Sequence, residues 1–151
     1  MIRWTCCLCT VGQVVHTLCE GKWVMGVTLL ADEVYLLRRQ KRYQVEVYDV
    51  INYRLQRRLT VPYIRGVIDM TSCEHYRCVY IADLSECIHR LDVQGVFTRW
   101  VVNDKPCGLS VNAALNVLVT CCDVRKIKEF SSYGDLVGLR ELTLPDDVIN
   151  P

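Results

Sequence analysis

At 151 residues the chain is long enough for one ordinary domain with a sizeable core. A content of 51% hydrophobic and 23% charged residues excludes a disordered tail. A formal net charge of +1 excludes a global pull toward nucleic acid or an anionic membrane, so a charged partner must be met by a local patch.

Residues 1–22 open with Arg3 and an uncharged run from Trp4 to Val15. The run has the outline of a signal peptide, but Gln13 interrupts it and no small-residue cleavage site follows. A strand is the better reading. No apolar stretch reaches the roughly 18 residues a membrane helix needs.

From Gly26 onward three segments repeat one order of signals. The first runs through Gly26-Val27-Thr28-Leu29-Leu30, Val34-Tyr35-Leu36-Leu37 and Val45-Glu46-Val47-Tyr48-Asp49-Val50 to Leu59-Thr60-Val61-Pro62. The second runs through Gly66-Val67-Ile68-Asp69, Val79-Tyr80-Ile81-Ala82-Asp83 and Ile88-His89-Arg90-Leu91-Asp92-Val93 to Pro106. The third runs through Gly108-Leu109-Ser110-Val111, Val117-Leu118-Val119-Thr120 and Ile127-Lys128-Glu129-Phe130 to Leu142-Thr143-Leu144-Pro145. Gly26 and Gly66 lie 40 residues apart, Gly66 and Gly108 42.

A period near 40 built from four short strands is the signature of a β-propeller blade, and no 3.6-residue periodicity competes with it. Val79 to Ala82 is continuously apolar, as a strand covered on both faces should be. Residues 53–61 alternate instead, as a half-exposed outer strand should, with Arg57 breaking the apolar side. Asp92-Val93-Gln94-Gly95 and Ser131-Ser132-Tyr133-Gly134 read as hairpins between third and fourth strands.

The expected fold is therefore all-β, a propeller segment of four-stranded antiparallel blades. Blade one spans 23–62, blade two 63–105 and blade three 106–145. Residues 1–22 are expected to supply the closing strand of a preceding blade, and 146–151 the start of a truncated further one. Closed propellers need about four to eight blades, so the chain reads as part of an incomplete ring, with an apolar face exposed on its first and third blades. Self-association is the alternative way to cover those faces.

The ten cysteines are Cys6, Cys7, Cys9, Cys19, Cys73, Cys78, Cys87, Cys107, Cys121 and Cys122. Most lie in or beside apolar strands, where a thiol serves as a small buried hydrophobe. The Cys6-Cys7-x-Cys9 cluster lacks a second well-spaced pair for zinc. Reduced structural thiols and a cytoplasmic setting are the expectation.

Cys78-Val79-Tyr80-Ile81-Ala82-Asp83, followed by Cys87-Ile88-His89-Arg90-Leu91-Asp92 and Gly95, resembles the NHL repeat. Lys105-Pro106-Cys107-Gly108-Leu109-Ser110-Val111 is similar to the proline-x-glycine-isoleucine opening of the next such repeat. Leu36-Leu37-Arg38-Arg39 departs from the pattern in the first blade, where alanine-aspartate would stand. The resemblance implies a six-bladed NHL-like propeller used as a platform for protein partners, and in some members for RNA.

Candidate chemistry is sparse. His16, His75 and His89 have no nucleophile motif around them. Asp69 and Asn112 lie where six-bladed hydrolases of the lactonase type would hold a divalent ion on the axis, but two oxygen ligands from three blades are what ordinary hydrogen bonding would also supply. The basic residues are more telling. Arg38, Arg39, Lys41 and Arg42 are placed in the loop between the second and third strands of blade one, and Arg65 and Lys105 in the connections between blades. Arg125 and Lys126 fall in the corresponding loop of blade three. These eight are the candidate binding residues, with Asp83 and Glu86 interrupting them. The expected protein is not an enzyme, uses no cofactor and no metal, and binds a protein partner, with RNA and a metal-dependent hydrolase as the rival readings.

Overall fold

The computed structural model describes the backbone of Cys6–Thr10 and Gln13–Leu18 and all atoms of residues 23–39 and 42–142. Strands β1 (Cys6–Thr10) and β2 (Gln13–Leu18) pair antiparallel as a hairpin of their own. Where the sequence pattern suggested one closing strand, this segment carries two.

Twelve further strands form three four-stranded antiparallel meanders. The first comprises β3 (Trp23–Leu30), β4 (Glu33–Arg39), β5 (Tyr43–Asp49) and β6 (Leu55–Thr60). The second comprises β7 (Val67–Cys73), β8 (Cys78–Asp83), β9 (Cys87–Asp92) and β10 (Phe97–Val101). The third comprises β11 (Gly108–Val111), β12 (Val117–Cys121), β13 (Lys126–Phe130) and β14 (Leu136–Glu141). The repeat read from the sequence is thus the spacing of whole sheets, and the chain is a β-propeller segment of three blades. A single 3-10 turn, Cys122–Val124, is the helical element among the described residues.

The leading strands β3, β7 and β11 lie side by side, and the sheets pack face to face behind them. Strand alternation explains how two cores arise from one middle sheet. Val79, Ile81 and Leu91 face the first blade and pack on Tyr35, Leu37, Val45 and Val47. Cys78, Tyr80, Ala82 and Ile88 face the third blade and pack on Val117, Val119, Cys121 and Phe130. All six residues of β8 are consequently buried.

The two outward faces differ from the expectation. On the first blade Val34, Leu36 and Tyr48 are buried, not exposed. On the third, Leu118 and Ile127 are half-buried around a cavity of about 230 Å³, and their neighbours Asn112, Glu129 and Arg140 make that face polar. Glu129 accepts from the side-chain amides of Asn112 (2.8 Å) and Asn116 (2.7 Å), so its charge is already satisfied within the blade.

Both expected hairpins form. Gly95 (φ +89°) and Gly134 (φ +99°) take the left-handed backbone these turns require. At Gly134 there is no room for more: an added Cβ would lie 2.6 Å from Trp100.

Polar ties register the blades against one another. Thr28 Oγ1 donates to Ser72 Oγ across the first interface (3.0 Å), and Tyr80 OH bonds Ser132 Oγ across the second (2.8 Å). Asp69 makes the tie nearest the leading strands: its Oδ2 accepts the Leu109 N–H of the next blade at 2.7 Å, while Oδ1 accepts from Met70 N. The carboxylate considered for a metal is therefore engaged in joining β7 to β11. Asp69→Ala should cost about 1–3 kcal/mol in urea denaturation, the usual penalty for an orphaned amide. Asp69→Asn keeps an acceptor and should lose less. Equal losses in the two variants would show that the carboxylate does something other than accept this bond.

Candidate functional site

The meander order puts the loops β4–β5, β8–β9 and β12–β13 at one end of the blades, together with the connections β6–β7 and β10–β11. Backbone bonds knit them: Leu84 N donates to Arg65 O (3.1 Å) and Gly66 O (3.0 Å), Val102 N to Glu86 O (2.8 Å), and Leu142 N to Arg125 O (2.7 Å). The loops of the second and third blades are thereby held against neighbouring backbone. A ligand at this end meets a fixed surface built from loops, the usual location for binding on a rigid β scaffold.

Two cavities of about 520 Å³ each open there on either side of Tyr63. Arg39, Arg42, Tyr43 and Pro62 line the first; Arg65, Ser85, Arg99 and Trp100 line the second. Among the described residues no carboxylate lines either cavity. Tyr63 divides them, 72% exposed, with Arg99 stacked over its ring at 5.1 Å. Its backbone is left-handed (φ +65°), as is that of Asn103 at the corresponding place in the next connection (φ +62°). Asparagine adopts that region readily, whereas a bulky tyrosine is strained there by about 1–3 kcal/mol. Strain of this kind, held by surrounding structure, clusters at binding sites.

The structure sorts the sequence candidates. Arg39, Arg42 and Arg65 come together around these cavities. Lys105 and Arg125 are exposed at the same end but line neither, and Lys126 is half-buried at the start of β13. Lys41 lies outside the described residues. Arg38 is a correction: it belongs to β4 and not to a loop, is 0% exposed, and forms an ion pair with buried Glu46. An odd–even step along β4 sends Arg39 to the loop-end cavity and Arg38 to the opposite face of the sheet. Arg99 escaped the sequence reading. It sits in the middle of β10, opposite His89, lines the second cavity and stacks on Tyr63.

The acidic interruption is also smaller than expected. Glu86 is exposed, but Asp83 is 0% exposed and turned inward. Its Oδ2 accepts His89 Nε2–H at 2.8 Å and Arg65 N–H at 3.0 Å; its Oδ1 accepts from Ser85 N and Oγ and from Cys87 N. Burial pushes this carboxyl up, yet the bonds from His89, Ser85 and the Arg65 amide outweigh burial and bring it down to about 2. His89 stacks on Phe97 (5.5 Å) and is itself 0% exposed, so the pair has the composition of an acid–base dyad without access to a substrate. Its work is to tie β8, β9, their loop and the incoming connection into one corner.

Asn112 is likewise committed, accepting Asn116 N–H and donating to Glu129. Among the described residues no cluster of three or more His, Cys, Asp or Glu side chains is placed to hold a metal ion. Cys73, Cys78, Cys87 and Cys121 are buried free thiols, Cys107 is half-buried and Cys122 exposed.

No family model matches the chain, and no curated protein matches it. Solved structures do. Virginiamycin B lyase from Staphylococcus aureus is similar at TM-score 0.66 and 14% identity, over 83% of this chain and 43% of that one. BamB from Moraxella catarrhalis is similar at TM-score 0.66 and 13% identity, over 86% and 40%. A streptogramin B lyase is similar at TM-score 0.65 and 16% identity, over 79% and 40%. The chain thus spans less than half the length of each of these propellers, and at such identities the likeness concerns the fold. It nevertheless overturns one expectation. The chain was read as not an enzyme because it is a propeller without a nucleophile motif, and two of its neighbours in fold are lyases. Neither the architecture nor the missing motif separates binding from catalysis.

The Asp83 corner makes a quantitative test. A carboxyl held at about 2 against an ordinary 3.8 contributes stability that is present above about pH 4 and lost as pH falls toward 2. Urea midpoints should decline across that window. Asp83→Ala, which strands His89 and several amides, should cost about 3–5 kcal/mol at pH 7 and flatten the acid decline. An unchanged acid profile in this variant would assign the decline to other groups.

Proposed function

We propose that the loop end of this propeller segment is a docking surface for an acidic protein segment, received in the two arginine-lined cavities on either side of Tyr63. The observation that carries this reading is the juxtaposition of four exposed arginines, Arg39, Arg42, Arg65 and Arg99, in cavities with no carboxylate among their described lining residues. Planar guanidinium groups in pairs match carboxylates, which they can grip bidentately. Tyr43, Tyr63 and Trp100 supply apolar walls beside the charges, the composition favoured at interaction hot spots. Lys105 and Arg125, exposed at the same end, extend the positive field toward the third blade and would steer the approach.

The NHL likeness of Cys78 to Asp92 belongs to this reading, as does the division into blades at 23–62, 63–105 and 106–145. So does a cytoplasmic setting, consistent with four buried free thiols. RNA is the second reading, favoured by the guanidinium–tyrosine stack of Arg99 on Tyr63, a surface on which a base could also stack. Among the described residues Tyr63 is the single strongly exposed aromatic of these cavities, however, and a nucleic-acid track needs several.

Fluorescence anisotropy with an octa-glutamate peptide and an octa-uridylate tests the choice. Arg42→Glu and Arg99→Glu should each weaken the peptide about tenfold or more, since one charge-assisted bond contributes roughly 1.5–3 kcal/mol. Both side chains are exposed, so melting temperature should stay within a few degrees of the parent. Uridylate binding tighter than peptide, with a steep salt dependence, would move the assignment to RNA. Peptide binding unaffected by either reversal would remove the site.

A further inference from the structure

We infer that Cys107 and Cys122 form a reversible redox pair, a dithiol that closes to a disulfide across the third blade's loop end. The two residues belong to different elements. Cys107 lies in the connection just before β11, and Cys122 opens the β12–β13 turn. Backbone pairing brings them together: Cys107 N donates to Thr120 O at 2.7 Å, continuing the β11–β12 ladder by one step. The Cys107 Sγ then accepts the Cys122 amide at 3.2 Å. A sulfur that close to the neighbouring backbone is within reach of its side chain, and the Cys122 thiol is held up from its ordinary range chiefly by a hydrogen bond to Cys107.

Access separates this pair from the other described thiols. Cys122 is exposed and Cys107 half-buried, whereas Cys73, Cys78, Cys87 and Cys121 are buried. Cys73 and Cys78 are register partners in the β7–β8 hairpin, but both are buried against the third blade, where no oxidant reaches them. Thiol oxidation follows thiolate character, exposure and a nearby resolving partner; the hydrogen bond to Cys107 lowers the thiolate fraction of Cys122, and its exposure and its partner are what set it apart.

The oxidant is a small disulfide of the glutathione type, and the exchange balances. The Cys122 thiolate attacks one sulfur of that disulfide, forming a mixed disulfide and releasing one small thiolate. Cys107, as thiolate, attacks the Cys122 sulfur and releases the second. Two protein thiols have lost two electrons, the small disulfide has gained them, and the two protons end on the released thiols. The new bond clasps the connection from blade two to the β12–β13 turn. It lies beside Lys105 on one element and Arg125 on the other, and so fixes the third blade's share of the loop end. The pairing is independent of any docking role for that end.

The test is glutathione redox titration of the full chain, quenched with acid and alkylator and read by peptide mapping. The expected result is one linked peptide pair, Cys107 with Cys122, lost again when reduced glutathione is in excess. Cys107→Ser and Cys122→Ser should each abolish it completely. In Cys107→Ser a mixed glutathione disulfide should instead accumulate on Cys122, the intermediate that can no longer be resolved. Both variants should keep the melting temperature of the reduced parent, because neither thiol fills a core. Linkage of Cys122 to Cys6, Cys7, Cys9 or Cys19, or mixed disulfides on Cys122 of the unaltered chain with no linked product, would overturn the inference.

Discussion

The structure depends on the two-sided burial of the second blade. A single strand, β8, faces two cores at once: Val79 and Ile81 complete one, Cys78, Tyr80 and Ala82 the other. Each fully buried aliphatic side chain contributes about 1.5–3 kcal/mol, so the middle sheet draws stabilisation from both neighbours. A continuously apolar strand at this place is thus a requirement of the architecture. A charge there would disrupt one interface or the other, whichever way the side chain pointed. The polar ties then set register, because hydrophobic faces alone permit sliding. Asp69 on Leu109, Thr28 on Ser72 and Tyr80 on Ser132 each pair one atom of a blade with one atom of the next.

The same geometry explains why the chemistry gathers at one end. Strands in a meander leave their connections at two ends, and the passages between blades all lie at one of them. There the chain must satisfy amides that no ladder satisfies. Asp83 does so in the second blade, collecting an imidazole, a hydroxyl and three backbone N–H groups. With its charge turned inward, the outer surface of that corner is left to Arg65 and to Arg99 stacked on Tyr63. The buried acid and the exposed arginines are two consequences of one folded corner, and the positive character of the end owes as much to where Asp83 points as to the arginines themselves.

Sequence periodicity made the fold legible because blades are local: four strands in order, each pairing with the next, repeat their signals at a near-constant interval. The all-apolar Val79–Ala82 segment and the glycines at 95 and 134 announced their roles for the same reason. The site was half legible. Arg39, Arg42 and Arg65 lie where strands end, and strand ends can be read from turn residues. Arg38 was placed in a loop because the strand runs two residues past Leu37, to Arg39, and along a strand neighbouring side chains alternate between a surface cavity and a buried ion pair. Val34-Tyr35-Leu36-Leu37 running unbroken into Arg38 was the available signal for a longer strand. Arg99 had none. Its partner Tyr63 is remote in sequence, and only the packing of one blade's outer strand against the connection before it brings the two together. The outward face of blade one was misread for a different reason: the sequence marked Val34, Leu36 and Tyr48 as apolar but carried no sign of whether that surface is covered.

Fold likeness to two lyases and to BamB leaves the reactive surface to be argued from this chain's own residues. A propeller supplies a rigid rim and leaves the rim's side chains free to vary, since none of them carries the interblade cores. Arg39, Arg42, Arg65 and Arg99 fit that division: all four are exposed, and none belongs to either of the two cores that join the blades. Several titratable groups are placed otherwise. Asp83 and His89 are buried, Asp69 is spent on a neighbouring blade, and Glu129 is held by two asparagines. The described loop end therefore divides its charges: the Asp83–His89 pair is buried as structure, while Arg39, Arg42, Arg65 and Arg99 stand on the surface where the proposal places an acidic segment.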